Sequence, residues 1–205
     1  MRVLLRSLLA VAALLAAAPV LAQVHPRSDF PPAIEAEIRA AKESMMSDQA
    51  EALRHAAAID GLARGLRDER RRVLALGTAR WLAAEAHIRN EEPAKAAPLL
   101  SDGLNLIRSI PEPIKLRGDL MMSQGAFFMA RDQAVQALDS YQNAFRIFGE
   151  VKEPRSQAIA LQNIGGLYSR ANDEAPAEEY FHQAAVLFTH DPVISPSPHN
   201  NRGNA

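Results

Sequence analysis

The 205-residue chain contains no cysteine. Thiol catalysis, cysteine zinc sites, iron–sulfur clusters and disulfide staples are therefore excluded. Aromatic residues make up only 5% of the sequence and runs of β-branched residues are nearly absent, which argues against a sheet. Beyond residue 22 no window approaches the roughly 18 apolar residues that a membrane-spanning helix needs. An excess of positive charge is missing too. Without Arg2 and Arg6 the chain holds 21 basic against 24 acidic residues, a formal charge of −3, and this gives no reason to expect nucleic acid or an anionic membrane as partner.

What is present begins with a sorting signal. Arg2 and Arg6 precede an apolar run from Leu8 to Ala18, Pro19 breaks it, and Val20-Leu21-Ala22 presents small residues at cleavage positions. This order reads as a secretory signal peptide over 1–22, with an uncleaved anchor as the alternative. Removal of the first 22 residues leaves 183, enough to bury a core without disulfides. The expected location is the periplasm or the cell exterior, with no stable membrane insertion after cleavage.

The body of the chain reads as helices joined by short turns. Ala134, Ala137, Leu138, Tyr141, Phe145 and Phe148 fall at offsets of 0, 3, 4, 7, 11 and 14, a stripe of helical period. Asp132 is the expected N-cap of that helix and Gly149 its expected stop. Leu161, Ile164, Gly165 and Tyr168 repeat the logic. The spacing predicts helix pairs over 33–46 with 49–64, 70–89 with 94–109, 114–130 with 133–148, and 155–170 with 175–189. Pro98 conflicts with a start at 94, so a start near Pro98 itself is the expectation.

Laid over one another, these pairs share a period. Ala96, Ala137 and Ala177 lie 41 and 40 residues apart, each followed four residues later by a large side chain, Leu100, Tyr141 and Phe181. Twelve residues before each alanine stands another small residue, Ala84, Gly125 and Gly165. Small residues facing each other let two helix backbones approach, while the large ones are expected to fill the gap to the next unit. A single pair cannot bury its apolar face alone, so several must stack.

The pattern resembles the tetratricopeptide repeat in its longer variant of about forty residues. Leu161, Gly165, Tyr168, Ala177, Phe181 and Ala184 carry the resemblance best, followed by Gly125, Phe128, Ala137, Tyr141 and Ala144. Residues 77–108 match more loosely, with Trp81 next to the expected aromatic position. Residues 33–63 match only as a helix pair. The resemblance implies an all-α fold, a right-handed α-solenoid of about four helical hairpins over 33–190, after an unstructured segment over 23–32. The proline-rich stretch 191–205 reads as a tail or as the start of a further repeat, because Gly203 lies 38 residues after Gly165.

No residue constellation supports catalysis or a cofactor. His25, His55, His87, His182, His190 and His199 are scattered, without the i, i+4 spacing that would put two on one metal. Ser101-Asp102 and Asp139-Ser140 have no nearby histidine, and Gly165-Gly166 lies within a helix. The basic run Arg64, Arg67, Arg70, Arg71, Arg72 is interleaved with Asp68 and Glu69, and reads as a solvated face with local ion pairs. Trp81, the sole tryptophan, is either a core residue or an exposed anchor for a partner.

By resemblance, outward-turned residues of the first helix of each pair line a groove that holds a protein or peptide. These are Gln162, Asn163, Ser169 and Arg170 in the last unit, Met122, Ser123 and Met129 before it, then Glu85 and Arg89. Asn163 stands where an amide can clamp a peptide backbone, but Ser123 replaces that amide one unit earlier. The implied function is a protein-interaction scaffold outside the cytoplasm. The alternative is a sensory input domain of a longer envelope signalling protein. The signal-peptide reading predicts that the protein recovered from the soluble extracytoplasmic fraction begins at Gln23. N-terminal sequencing that returns Met1 from a membrane pellet overturns it.

Overall fold

In the computed structural model, residues 30–189 are described. The expected signal peptide, most of segment 23–32 and the stretch after 190, with His25, His190 and His199, lie outside them. Eight α-helices occupy the described residues, with no strand among them. They are α1 (Pro32–Ser44), α2 (Gln49–Arg64), α3 (Glu69–Arg89), α4 (Pro93–Leu106), α5 (Lys115–Met129), α6 (Ala134–Glu150), α7 (Pro154–Arg170) and α8 (Glu174–Thr189). A 3₁₀ turn, Ile107–Ser109, extends α4 ahead of Pro111 and Pro113.

Four of the seven turns have a common cause. Glu91, Asp132, Lys152 and Asn172 adopt left-handed backbone at φ 57°, 56°, 58° and 56°, and the last three are spaced twenty residues apart. After each, the next amide bonds the carbonyl five residues back: Glu92 to His87 at 2.8 Å, Gln133 to Phe128 at 2.9 Å, Glu153 to Phe148 at 2.8 Å and Asp173 to Tyr168 at 2.9 Å. This reverses the chain while satisfying the carbonyls at the helix end. Asp132 is thus a turn residue and not an N-cap; Gln133 precedes α6, and no side chain caps it. Gly149 does not stop α6 either, since Lys152 takes the left-handed position and Gly149 instead allows the Gln157 amide to pass close by. Side-chain caps occur in the first half, where Asp48 accepts from the Glu51 amide at 2.9 Å and Asp68 from the Arg71 amide at 2.8 Å.

Pro98 also departs from expectation. Helix α4 starts at Pro93, where a missing N–H costs nothing, and runs through Pro98. The bond that Pro98 cannot make would go to the Ala94 carbonyl. Both residues are exposed, so water can take the place of the absent donor.

Consecutive helices form antiparallel pairs, and the second helix of one pair packs on the first helix of the next, α2 on α3 and α6 on α7. The contact of α4 with α5 is slighter, and there α3 itself reaches α5. Alanine builds much of the core: Ala52, Ala56, Ala63, Ala75 and Ala79 on α2 and α3, and Ala137, Ala144, Ala158 and Ala184 further on. Arg80 ties three helices, bonding Asp60 on α2 at 2.5 Å and Asp102 on α4 at 2.6 Å. Phe30, at the end of the segment expected to be unstructured, packs against the first two core clusters.

The repeat pattern has a direct reading here. A Cβ on Gly165 would sit 2.8 Å from the Phe181 ring, and one on Gly125 would overlap the Tyr141 ring. The large residue therefore lies over the small residue of its own pair, a correction to the expectation that it fills only the gap to the next unit. Tyr141 does both, sharing a cluster with Ile164 and Leu167 of α7. Gly165→Leu is expected to cost about 1–3 kcal/mol by overpacking. Gly125→Leu should cost at least as much, because Tyr141 is 4% exposed and cannot swing outward as Phe181, at 43%, can. Nothing lies within 4 Å of a Cβ on Gly166. Gly166→Ala should be neutral or stabilise by up to about 1 kcal/mol. Denaturant melts that rank the three variants otherwise refute this packing register.

Candidate functional site

Helices α1, α3, α5 and α7 each turn residues toward one shared groove of about 360 Å³. Met45 and Met46 come from the end of α1, Trp81, Glu85 and Arg89 from α3, Met122 and Ser123 from α5, and Ser156 and Ile159 from α7. Its lining is mainly apolar. Met46 is 73% exposed and Ile159 40% exposed, so the rim offers apolar side chains directly to solvent.

A chain of hydrogen bonds fixes the middle of this surface. The Trp81 indole donates to Ser123 Oγ at 3.1 Å, and the Ser123 hydroxyl donates to Glu85 Oε2 at 2.7 Å. Arg89 holds the other Glu85 oxygen at 2.8 Å and donates to Met46 Sδ at 2.9 Å. One network thus crosses α5, α3 and the end of α1. Trp81 also packs against both of the first two core clusters, so it is at once a core residue and a groove residue. Lys42 stands over its ring at 5.4 Å from the centroid.

Below the Lys42 end of the groove, Lys115 bonds Asp119 at 2.6 Å. Burial pushes the Asp119 carboxyl above the usual carboxylate range against the opposing pull of Lys115. Burial also lowers Lys42, with Lys115 adding to the effect and Asp119 and Glu153 opposing it. Tyr141, behind Ser123's helix, is pushed up to about 12 by burial and then by the Glu85 charge. No buried polar side-chain atom among the described residues lacks a hydrogen-bond partner.

The structure brings together four of the residues singled out from sequence: Glu85, Arg89, Met122 and Ser123. Asn163 sits one turn along α7 from Ile159 on the same helix face, half-buried, with its amide free of hydrogen bonds; Gln162 is exposed beside it. Neither lines this groove, nor does exposed Ser169. Met129 and Arg170 line a separate depression of about 160 Å³ with Asp132 and Leu167, and Arg170 lies 4.0 Å from Asp132. Trp81, Asp119 and Ile159 were within reach of sequence reasoning, since Trp81 and Met122 are 41 residues apart and Asp119 and Ile159 are 40 apart. Lys42, Met45 and Met46 were not, because the first pair lacks the small–large pattern that sets the register.

Several of the remaining candidates have structural partners, while His182 is exposed on α8. His55 lies between Glu37 at 2.6 Å and Glu51 at 3.0 Å, and His87 bonds Glu92 at 2.8 Å. No group of three metal-ligating side chains gathers among the described residues. In the basic run, Arg64 pairs with Asp60, Arg70 with Glu112 and Arg72 with Glu69.

Comparison with known proteins agrees with this geometry. Residues 117–186 match the family model for the tetratricopeptide repeat. The hairpins α5–α6 and α7–α8 are tetratricopeptide repeats, and the described chain is an all-α helical-repeat solenoid. The crystal structure of BtubC (BKLC) from P. vanneervenii shares this fold, with a TM-score of 0.50 at 19% identity over 78% of this chain and 58% of that one. The present chain thus spans less than two thirds of that protein's length. No match was found among curated proteins.

Ser123 is 2% exposed and serves two partners on another helix. Ser123→Ala is expected to cost about 1–2 kcal/mol, because the Trp81 N–H loses its acceptor in a half-buried setting. The emission of the sole tryptophan should shift with it. A variant with wild-type stability and emission shows that the network does not hold the groove.

Proposed function

We propose that this chain is a protein-binding module that acts outside the cytoplasm and grips a segment of a partner in the groove between α1, α3, α5 and α7. Tetratricopeptide repeats in general mediate protein–protein interaction. The observation that carries the reading to this face is the exposed apolar rim of Met46 and Ile159 over a floor held rigid by the Trp81–Ser123–Glu85–Arg89 network. Apolar surface of this kind, backed by a fixed polar frame, suits the buried centre of an interface. Export rests on the signal-peptide pattern at 1–22. Asn163 extends the surface along α7, and its free amide suits a peptide backbone, which offers one donor and one acceptor.

A photo-crosslinking residue at position 159 or 163, in protein produced in its native cell, is expected to capture the partner in the extracytoplasmic fraction. With that partner purified, Ile159→Asp should weaken binding by roughly tenfold or more and Asn163→Ala should weaken it less, both at nearly unchanged melting temperature. Weakening by changes in the Arg70–Arg72 run instead would move the site to the basic run, and capture only in the cytoplasm would overturn the location.

A further inference from the structure

The chemistry of the groove narrows what can occupy it; this inference rests on the groove being the binding site. We propose that it receives an apolar anchoring side chain of a partner peptide, a leucine, methionine or phenylalanine, seated between Met46, Trp81, Met122 and Ile159, and that it rejects a basic side chain there.

Charge pairing is the first argument. Arg89 is already engaged by Glu85, and Glu85 also accepts from Ser123. Asp119 is taken by Lys115 at 2.6 Å. Lys42, the remaining cation on the wall, lies over the Trp81 ring at 5.4 Å from its centroid. A basic anchor entering here would shed water, find both carboxylates taken and meet Lys42 as a like charge, with nothing to offset its lost hydration. An apolar side chain loses nothing by leaving water and gains by covering Met46 and Ile159.

Shape is the second argument. At about 360 Å³ the groove is near the small end of ligand pockets, room for a few side chains and not for a folded element. Three of its walls are thioethers, Met45, Met46 and Met122, whose unbranched chains adapt to different apolar shapes. The rigid element is Trp81, fixed through its N–H and forming part of the wall. The site is therefore selective for apolar character and tolerant of its exact form.

Trp81 is the only tryptophan in the chain, so its fluorescence reports occupancy. Short random peptides displayed on phage are selected on the full exported chain and counter-selected on Ile159→Asp. The expected binders share an apolar residue at one fixed position and shift Trp81 emission saturably. Replacing that residue with Asp or Lys should weaken them by roughly tenfold or more. Met46→Asp, at a position 73% exposed, should abolish the shift with the melting temperature unchanged, whereas Val135→Asp, exposed on α6 away from the groove, should leave it intact. Binders with a fixed acidic or basic residue, binders indifferent to Ile159→Asp and Met46→Asp, or a selection that yields none would each overturn the inference. If the native partner still depends on Ile159 in that event, the groove stands as the site and only the anchor chemistry fails.

Discussion

The structure depends on how closely two helices of a pair can approach. In the last two hairpins that distance is set by a glycine with an aromatic ring lying over it, Gly125 under Tyr141 and Gly165 under Phe181. In the second hairpin Ala84 and Leu100 occupy the corresponding places in one buried cluster. Left-handed turns at four of the seven helix boundaries fix the direction of the next helix, and the alanine-rich faces let the pairs stack. The groove follows from that stacking, because the first helix of each pair supplies most of its inner side, with Phe148 of α6 added. It was not assembled as a site of its own. Its walls are what remains of α1, α3, α5 and α7 after their other faces have been buried.

Much of this was legible from the chain. Period and helical stripe together located seven of the eight helices to within about two residues, and α4 less closely, because an amphipathic stripe and a small–large alternation are both consequences of packing that the sequence must carry. The turns were read less well. Asp132 looked like a cap because aspartate favours helix starts, yet it also tolerates left-handed backbone, and the closure of α5 decided between the two. Pro98 looked like a boundary because proline breaks interior helices. Its exposure on α4 removes most of that penalty. The site was legible in its middle, where Glu85, Arg89, Met122 and Ser123 share the register of the best repeats. It was not legible at its α1 end, where no pattern ties Lys42, Met45 and Met46 to their neighbours.

The network around Ser123 joins fold and site. A small hydroxyl between an indole donor and a carboxylate acceptor is a polar bridge that satisfies every member, and such bridges fix geometry better than apolar contact alone. Because Trp81 belongs to the core on one side and to the groove on the other, the position of the binding surface is inherited from the core. The Lys115–Asp119 ion pair acts in the same sense, holding a buried carboxylate in the groove wall.

One consequence lies in the sulfur atoms. With no cysteine in the chain, every sulfur among the described residues is a methionine thioether, at Met45, Met46, Met121, Met122 and Met129, and three of these five line the groove. A thioether is soft and apolar, but a single oxygen turns it into a polar, chiral sulfoxide. Met46, standing well out of the surface, meets an oxidant first, whereas buried Met45 is shielded. Oxidative damage to this protein therefore begins at the rim of its groove and leaves the alanine core untouched, and a methionine sulfoxide reductase acting at that rim would restore the surface without any refolding of the chain.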